Sequence, residues 1–361
     1  MRFAKLATVL MMLGVVLTAC GTTTTTTTAS KGKIAVLLPD SQSSSRWEND
    51  DRKFFVAAFQ AAGLSASDYI IQNAGGSAST QQTQADAAIT NGATVLLLVN
   101  LDSGSGATIE ANAAAKGVKT IDYDRLTLNG KANYYVSFDN VSVGKLQGQG
   151  LVKCLTTMNV TKPKVVELNG SPTDNNATLF KQGYDSVLQP LYDAGTYSKV
   201  ADQSVPAWDN QQALTIFEQI ITAHPAIDGV LAANDGLGNA VISGLKNRQL
   251  NGHVPVTGQD ATAQGIQNII AGDQCMTVYK AIKAEANAAA ALALELRNGT
   301  APTETMSKLN NGTIDVNSVL LVPVSVTKDN IKQTVLADGF RTLDEICPAS
   351  LTTQCTALGL K

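Results

Sequence analysis

From residue 33 onward, short uninterrupted apolar runs alternate with stretches whose apolar residues recur every three or four positions. Residues 34–38 have no polar member, the pattern of a parallel strand covered on both faces. Phe54, Phe55, Ala58 and Phe59 then fall at helical spacing and mark the core stripe of a following helix. The rhythm continues with a strand at 69–72, a helix at 79–90, a strand at 95–99, a helix at 107–116 and a strand at 119–122. A second series follows, through 165–168, a helix around 180–188, 198–201, a helix at 211–223 and 229–232, then 241–246, 254–258 and 265–271. Such alternation predicts an α/β protein with parallel sheets and helices on both faces. The strands are too many for one comfortable sheet, so two similar lobes are expected, with an eight-fold barrel as the alternative on strand count. Residues 134–140 lie between the two series. Residues 276–280 lead into an Ala-rich helix at 281–297, and a last strand at 319–326 contains Pro323. The chain is therefore expected to cross between the lobes more than once, and three crossings would make a hinge.

The first residues read differently. Arg2 and Lys5 precede an apolar run over 6–17, about the length of a signal-peptide core and too short for a comfortable membrane span. The run closes on Leu17-Thr18-Ala19-Cys20, which resembles a bacterial lipoprotein signal; an ordinary secretory signal with a chance cysteine is the alternative. On that reading residues 1–19 are removed, Cys20 is acylated, and residues 20–32, with the threonine run 22–28, form a solvated tether. The mature protein is then exported and held by lipid at the outer face of the cytoplasmic membrane.

About 330 residues remain after such a leader and tether, enough for two domains. The net charge of −3 and the absence of a basic stripe argue against nucleic acid as a partner. With Cys20 lipidated, four of the five cysteines remain for an oxidising compartment. Cys347 and Cys355 are close enough for a local staple, and Cys154 would pair with Cys275 if the fold brings them together. A metal site is the competing reading, weakened by the lack of any C-x-x-C spacing and by only two histidines. No cofactor motif is present.

In open parallel sheets ligands bind beyond the carboxyl ends of the strands. The residues found there are Arg46 and Trp47, Asp124 and Arg125, Asn140, the stretch from Asn169 to Asn176, Trp208, Asn234 and Asp235, Gln259 and Asp260, and Lys280. Carboxylates, amides, cations and both tryptophans suit a sugar, whose hydroxyls each donate and accept while its C–H faces are apolar. Structural alternatives stand beside each. Asp209 is expected to be a helix cap. Asp124 and Arg125 would serve equally as an ion pair, Asn175 and Asn176 as a helix start, Asn234-Asp235 and Gln259-Asp260 as turns, and Trp208 as core. Enzyme signals are poor, with no nucleophile elbow, phosphate loop or dinucleotide fingerprint. Paired carboxylates for glycoside cleavage stay open as a rival reading.

The stretches Arg46-Trp47-Glu48-Asn49-Asp50, Tyr123-Asp124-Arg125, Ser137-Phe138-Asp139-Asn140-Val141, Gly170-Ser171-Pro172-Thr173-Asp174-Asn175-Asn176-Ala177, Asn234-Asp235, Gly258-Gln259-Asp260-Ala261 and Met276-Thr277-Val278-Tyr279-Lys280 occur in order. In them the chain resembles the type I periplasmic sugar-binding proteins of ABC transporters, most closely the xylose-binding branch. The resemblance implies two Rossmann-like lobes joined by a three-strand hinge, residues 33–138 plus 281–321 and 139–280 plus 322–361. It implies no catalysis and a monosaccharide held in the cleft by Arg46, Trp47, Asp124, Arg125, Asn175 or Asn176, Trp208, Asn234, Asp260 and Lys280. Trp47 and Trp208 would sandwich the ring. Asparagines where ribose and glucose binders carry an arginine, and Lys280 where they carry an amide, favour D-xylose over ribose or galactose and leave glucose and arabinose open. A permease is the implied partner of a monomer, and a sensor kinase a second one for a broader aldose binder. The four cysteines beyond Cys20 depart from the xylose-binding pattern.

Overall fold

A computed structural model describes residues 31–361. The expectations about the leader, Cys20 and the threonine run lie outside the described residues.

Strand β1 (Lys33–Leu38) shows why its run does not alternate. Ile34, Val36 and Leu38 point into one core while Ala35 and Leu37 point into another, so both faces are dry. Around it the chain builds α1 (Arg52–Ala61), β2 (Tyr69–Asn73), α2 (Ala78–Thr90), β3 (Ala93–Leu98), α3 (Ser103–Ala115), β4 (Lys119–Tyr123) and β5 (Tyr134–Phe138). Then come α4 (Asn140–Thr157), β6 (Lys164–Asn169), α5 (Asn175–Asp193), β7 (Ser198–Ser204), α6 (Asn210–Ala223), β8 (Gly229–Ala232), α7 (Asp235–Lys246) and α8 (Ala263–Ala271). The last elements are β9 (Thr277–Tyr279), α9 (Ile282–Asn298), β10 (Ser307–Asn310), β11 (Asp315–Leu321), β12 (Val324–Val326), α10 (Leu343–Ile346) and α11 (Thr352–Ala357).

Two open sheets result, which excludes the barrel. The first has the order β10-β11-β5-β4-β3-β1-β2 and is parallel except for β10. The second has β7-β6-β8 at its centre and continues, through single bridges at Val230–Val256 and Gln259–Val278, to β9 and its antiparallel neighbour β12. The chain passes between the sheets after β5, after β9 and after β11.

Two expectations need correction, and one helix was not predicted. Residues 319–326 are not one strand: β11 ends at Leu321 in the first sheet and β12 starts at Val324 in the second. Pro323, which has no N–H to give a ladder, sits between them. Residues 254–258 form one isolated bridge, at Val256, rather than a regular strand. The long helix α4 went unread because Gly144, Gly148 and Gly150 blur its pattern; a Cβ at Gly144 or at Gly183 of α5 would strike the backbone of the other helix. Their absence lets α4 and α5 lie in backbone contact.

Cys154 is bonded to Cys275, and Cys347 to Cys355 with an S–S distance of 2.09 Å. The first closes a 121-residue separation and the second only 8, so the first removes more freedom from the unfolded chain. The tail bearing the second lays Ile331, Val335, Phe340 and Ile346 into the core that holds Ile266 and Ile269 of α8 and Phe54 and Phe55 of α1. Among the described residues no group of His, Cys, Asp or Glu is placed to hold a metal, and no helix is long and apolar enough to cross a membrane.

Candidate functional site

Side chains from the carboxyl ends of both sheets line one cavity. The wall from the first sheet begins just after β1. Asp40 accepts hydrogen bonds from the amides of Gln42 and Ser43 and from the Ser43 hydroxyl, at 2.6–2.8 Å, fixing a tight turn. Ser43 in turn accepts the Trp47 indole N–H at 3.1 Å. Trp47 opens a π-helical turn, Trp47–Asp51, and the Arg46 guanidinium lies 4.4 Å from its ring centroid.

Arg46 is 1% exposed and is surrounded by carboxylates. Its Nε and Nη2 donate to Asp51 at 2.9 and 2.8 Å, Nη2 also to Glu285 at 2.6 Å, and Nη1 to Asp124 at 2.6 Å. Tyr123 donates its hydroxyl to Asp51 at 2.5 Å. Burial disfavours the guanidinium charge, but Asp51, Asp124 and Glu285 around it outweigh burial and hold the group firmly charged. Burial raises Glu285 to about 8, despite Arg46, so that carboxyl is largely protonated at neutral pH. Asp124 behaves oppositely: burial pushes it up, yet Lys280, Arg46 and Arg125 together hold it far below the usual carboxylate range. It stays an acceptor.

Asp124 and Arg125 do not pair with each other. Asp124, with φ of 62°, gives its carbonyl to the Ser137 hydroxyl at 2.8 Å and to the Asn176 amide at 2.9 Å. Arg125 turns to the other wall, with Nε 3.0 Å from Asp174, and donates to the Asn100 carbonyl at 3.1 Å.

The opposite wall is built largely on helix N-termini. Asp174 caps α5, accepting the Asn176 N–H at 2.9 Å, and also accepts the Trp208 indole N–H at 3.0 Å. Asn176 lines the cavity, whereas Asn175 is half-buried and does not. Adjacent helix residues point about 100° apart, so one turn presents only one of them. Trp208 follows Ala207, and both have positive φ, 57° and 53°. Its ring lies over Gly170, where any Cβ would overlap it, and meets Phe180 edge-on at 6.3 Å. Asn234 caps α7 through the Leu237 N–H at 2.8 Å and reaches the Ser43 carbonyl at 3.3 Å. Asp260, with φ of 94°, stands 3.4 Å from Lys280 Nζ, which is also 3.2 Å from Asp124. Burial alone would discharge Lys280; Asp124 and Asp260 reverse that and raise its pKa.

Nine of the ten residues named for the sugar thus line one cavity. Ser43, Ser44, Asp174, Phe180 and Gln259 line it as well and were not in that set. Ser43 and Ser44 sit in the featureless stretch Ser-Gln-Ser-Ser-Ser, which offers no signal. Asp174 and Gln259 stand in the strand-end stretches named from the sequence, without a sugar contact assigned to them. Asp209 does cap α6, through the amides of Gln211 and Gln212. Non-glycine residues at positive φ are uncommon, and cost on the order of 1–3 kcal/mol each where the conformation is strained. Asp124, Trp208 and Asp260 place three of them here. Gln259 Oε1 is buried and takes no hydrogen bond from the protein, and Asp260 Oδ1 has only its 3.4 Å ion pair with Lys280. Buried acceptors of that kind, with two indoles and fixed cations, suit a small polyhydroxylated molecule.

The periplasmic binding protein domain family matches residues 34–301. The chain is 39% identical over 315 residues to the D-xylose-binding periplasmic protein of Escherichia coli (strain K12), covering 87% of this chain and 92% of that one. It is 32% identical to the multiple sugar-binding periplasmic receptor ChvE of Rhizobium radiobacter, covering 88% and 92%. Among solved structures, a carbohydrate transporter solute-binding protein from Chloroflexus aurantiacus in complex with D-glucose matches with a TM-score of 0.79 at 29% identity, over 86% of this chain and 97% of that one.

Proposed function

Since the chain belongs to the periplasmic binding protein family and is a sugar-binding solute-binding protein of an ABC importer rather than an enzyme, we propose that its cavity takes an aldopentose, D-xylose first of all, and delivers it to a membrane permease. Arg46, Trp47, Asp124, Arg125, Asn176, Trp208, Asn234, Asp260 and Lys280 are the sugar-binding set, with Asn175 beside it on the helix. The lobes run over 33–138 plus 281–321 and over 139–280 plus 322–361. Cys20 carries the lipid anchor, and the protein acts as a monomer.

The observation that carries this reading is a cavity walled from both sheets by Trp47 and Trp208 and by ionised Asp124 beside Arg46 and Lys280. The aromatic pair suits the apolar faces of a sugar ring. The charged groups accept from and donate to its hydroxyls, each such bond being worth roughly 1.5–3 kcal/mol. The similarity to a xylose-binding protein supports the pentose, and the glucose-bound neighbour keeps aldohexoses as the second reading.

A calorimetric panel of xylose, glucose, arabinose, ribose and galactose tests it. Xylose is expected to bind at micromolar Kd or tighter and to be recovered chemically unchanged. Tighter binding of glucose replaces the pentose with the broader aldose reading. Turnover of any sugar overturns the binding-protein reading.

A further inference from the structure

Arg341 does not line the cavity, yet its guanidinium ties together two chain segments that do. Nη1 and Nη2 donate as a fork to the two oxygens of Asp50 at 3.2 and 3.1 Å, and Nε donates to the Ala261 carbonyl at 3.0 Å. Asp50 belongs to the turn that carries Trp47, and the next residue, Asp51, holds Arg46. Ala261 follows Asp260, and both have positive φ. One side chain therefore clamps the Trp47 turn, on the first sheet's side, to the Asp260 loop, on the second sheet's side.

The clamp has a firm base. Arg341 and Asp50 are 7% and 5% exposed, so water competes little for the fork. The guanidinium rests 3.9 Å from the Phe340 ring centroid, and Phe340 packs against Tyr279 at 5.1 Å. Tyr279 donates to Asp338 of the same tail. Beyond, Gln267 of α8 donates to the Glu345 carbonyl at 2.7 Å, and Cys347–Cys355 closes the tail on itself. The tail is thus anchored on α8 and β9, and the fork to Asp50 is its hydrogen-bonded tie to the turn after β1.

We propose that Arg341 is a positioning residue for sugar capture, a latch whose fork to Asp50 forms when the lobes close and slows release. This rests on the sugar-binding reading of the cavity. A contact made in one state and not the other shifts the equilibrium by its differential free energy, and the apparent affinity scales with the closed population. Removing the fork therefore weakens binding without touching the sugar.

The test uses R341Q, D50N, R341K and the R341Q/D50N pair, with xylose Kd by calorimetry, release rate by stopped-flow tryptophan fluorescence, and the melting midpoint without sugar. R341Q and D50N are each expected to weaken Kd by roughly tenfold or more, mostly through faster release. The double variant should be no worse than either single one, and R341K should recover part of the loss. The sugar-free midpoint should stay close to wild type, a result a merely structural contact would not give. Unchanged Kd in R341Q, or a sugar-free midpoint that falls while D50N binds normally, overturns the latch. If the wild type binds none of the five aldoses, the sugar reading fails instead. Small-angle scattering of the sugar-free proteins then decides the latch alone: equal radii of gyration for R341Q and wild type are required, and a larger one for R341Q shows the fork already made without sugar and overturns it.

Discussion

The two walls of the cavity are held in place by different physics. On the first wall a single guanidinium, Arg46, organises Asp51, Asp124 and Glu285 in a fully buried ionic cluster. On the second, Asp174 and Asn234 cap α5 and α7, and the same side chains reach Trp208, Arg125 and Ser43. The first wall depends on charge balance in a low dielectric, where removing one partner leaves others uncompensated. The second depends on helix ends, where losing a cap costs about 1 kcal/mol and leaves the rest standing. The first should therefore fail as a unit and the second residue by residue.

Arg46→Met is expected to do the most damage. It strands the Asp51, Asp124 and Glu285 carboxyls, at a cost of about 3–5 kcal/mol, and should lower the melting midpoint by roughly 10 °C as well as abolish sugar binding. A midpoint near wild type in differential scanning calorimetry would remove the contrast between the walls.

Glu285→Gln probes the same cluster by pH. Burial raises Glu285 from an ordinary 4.5 to about 8. Between those values the native state keeps a proton that the unfolded chain has lost, so stability falls as pH rises through the window and stays low above it. A glutamine has no charge to bury. The variant's midpoint relative to wild type should climb between pH 5 and pH 9, by on the order of 5 °C. A flat difference across that range would show that Glu285 is ionised in the native state throughout.

Asn234→Ala should be the mildest. It removes the α7 cap, costs about 1 kcal/mol of stability, and weakens sugar binding roughly tenfold through one lost hydrogen bond. A collapse as large as that of Arg46→Met would mean the second wall is as cooperative as the first.

The sequence carried most strands of the two sheets because apolar runs such as β1, with a core on each face, answer to burial alone, while the exposed edge strand β10 has no such run. Strand-end position likewise pointed to Arg46, Asp124, Trp208, Asp260 and Lys280. What stayed hidden depends on neighbours distant in the chain. Helix α4 is stabilised by glycines that admit α5, and a glycine at helical spacing looks like a break until its partner is known. Arg46 reads as one cation beside a tryptophan, with nothing local to announce Glu285 far along the chain. Asp124 and Arg125 sit side by side in sequence, yet the left-handed turn at Asp124 sends them to separate partners. Short-range chemistry was legible, and long-range charge pairing was not.

Val322 and Pro323 form the third passage between the sheets, and Val322 is 81% exposed. On one side β11 is tied to β5, and on the other β12 to β9. Neither of the two residues between belongs to a ladder, and Pro323 has no N–H with which to join one. Torsion at exposed Val322 breaks no ladder bond, whereas Pro323 is buried and its ring fixes φ. Mechanically this passage is a joint with one free residue beside a rigid one, so its freedom rests on Val322.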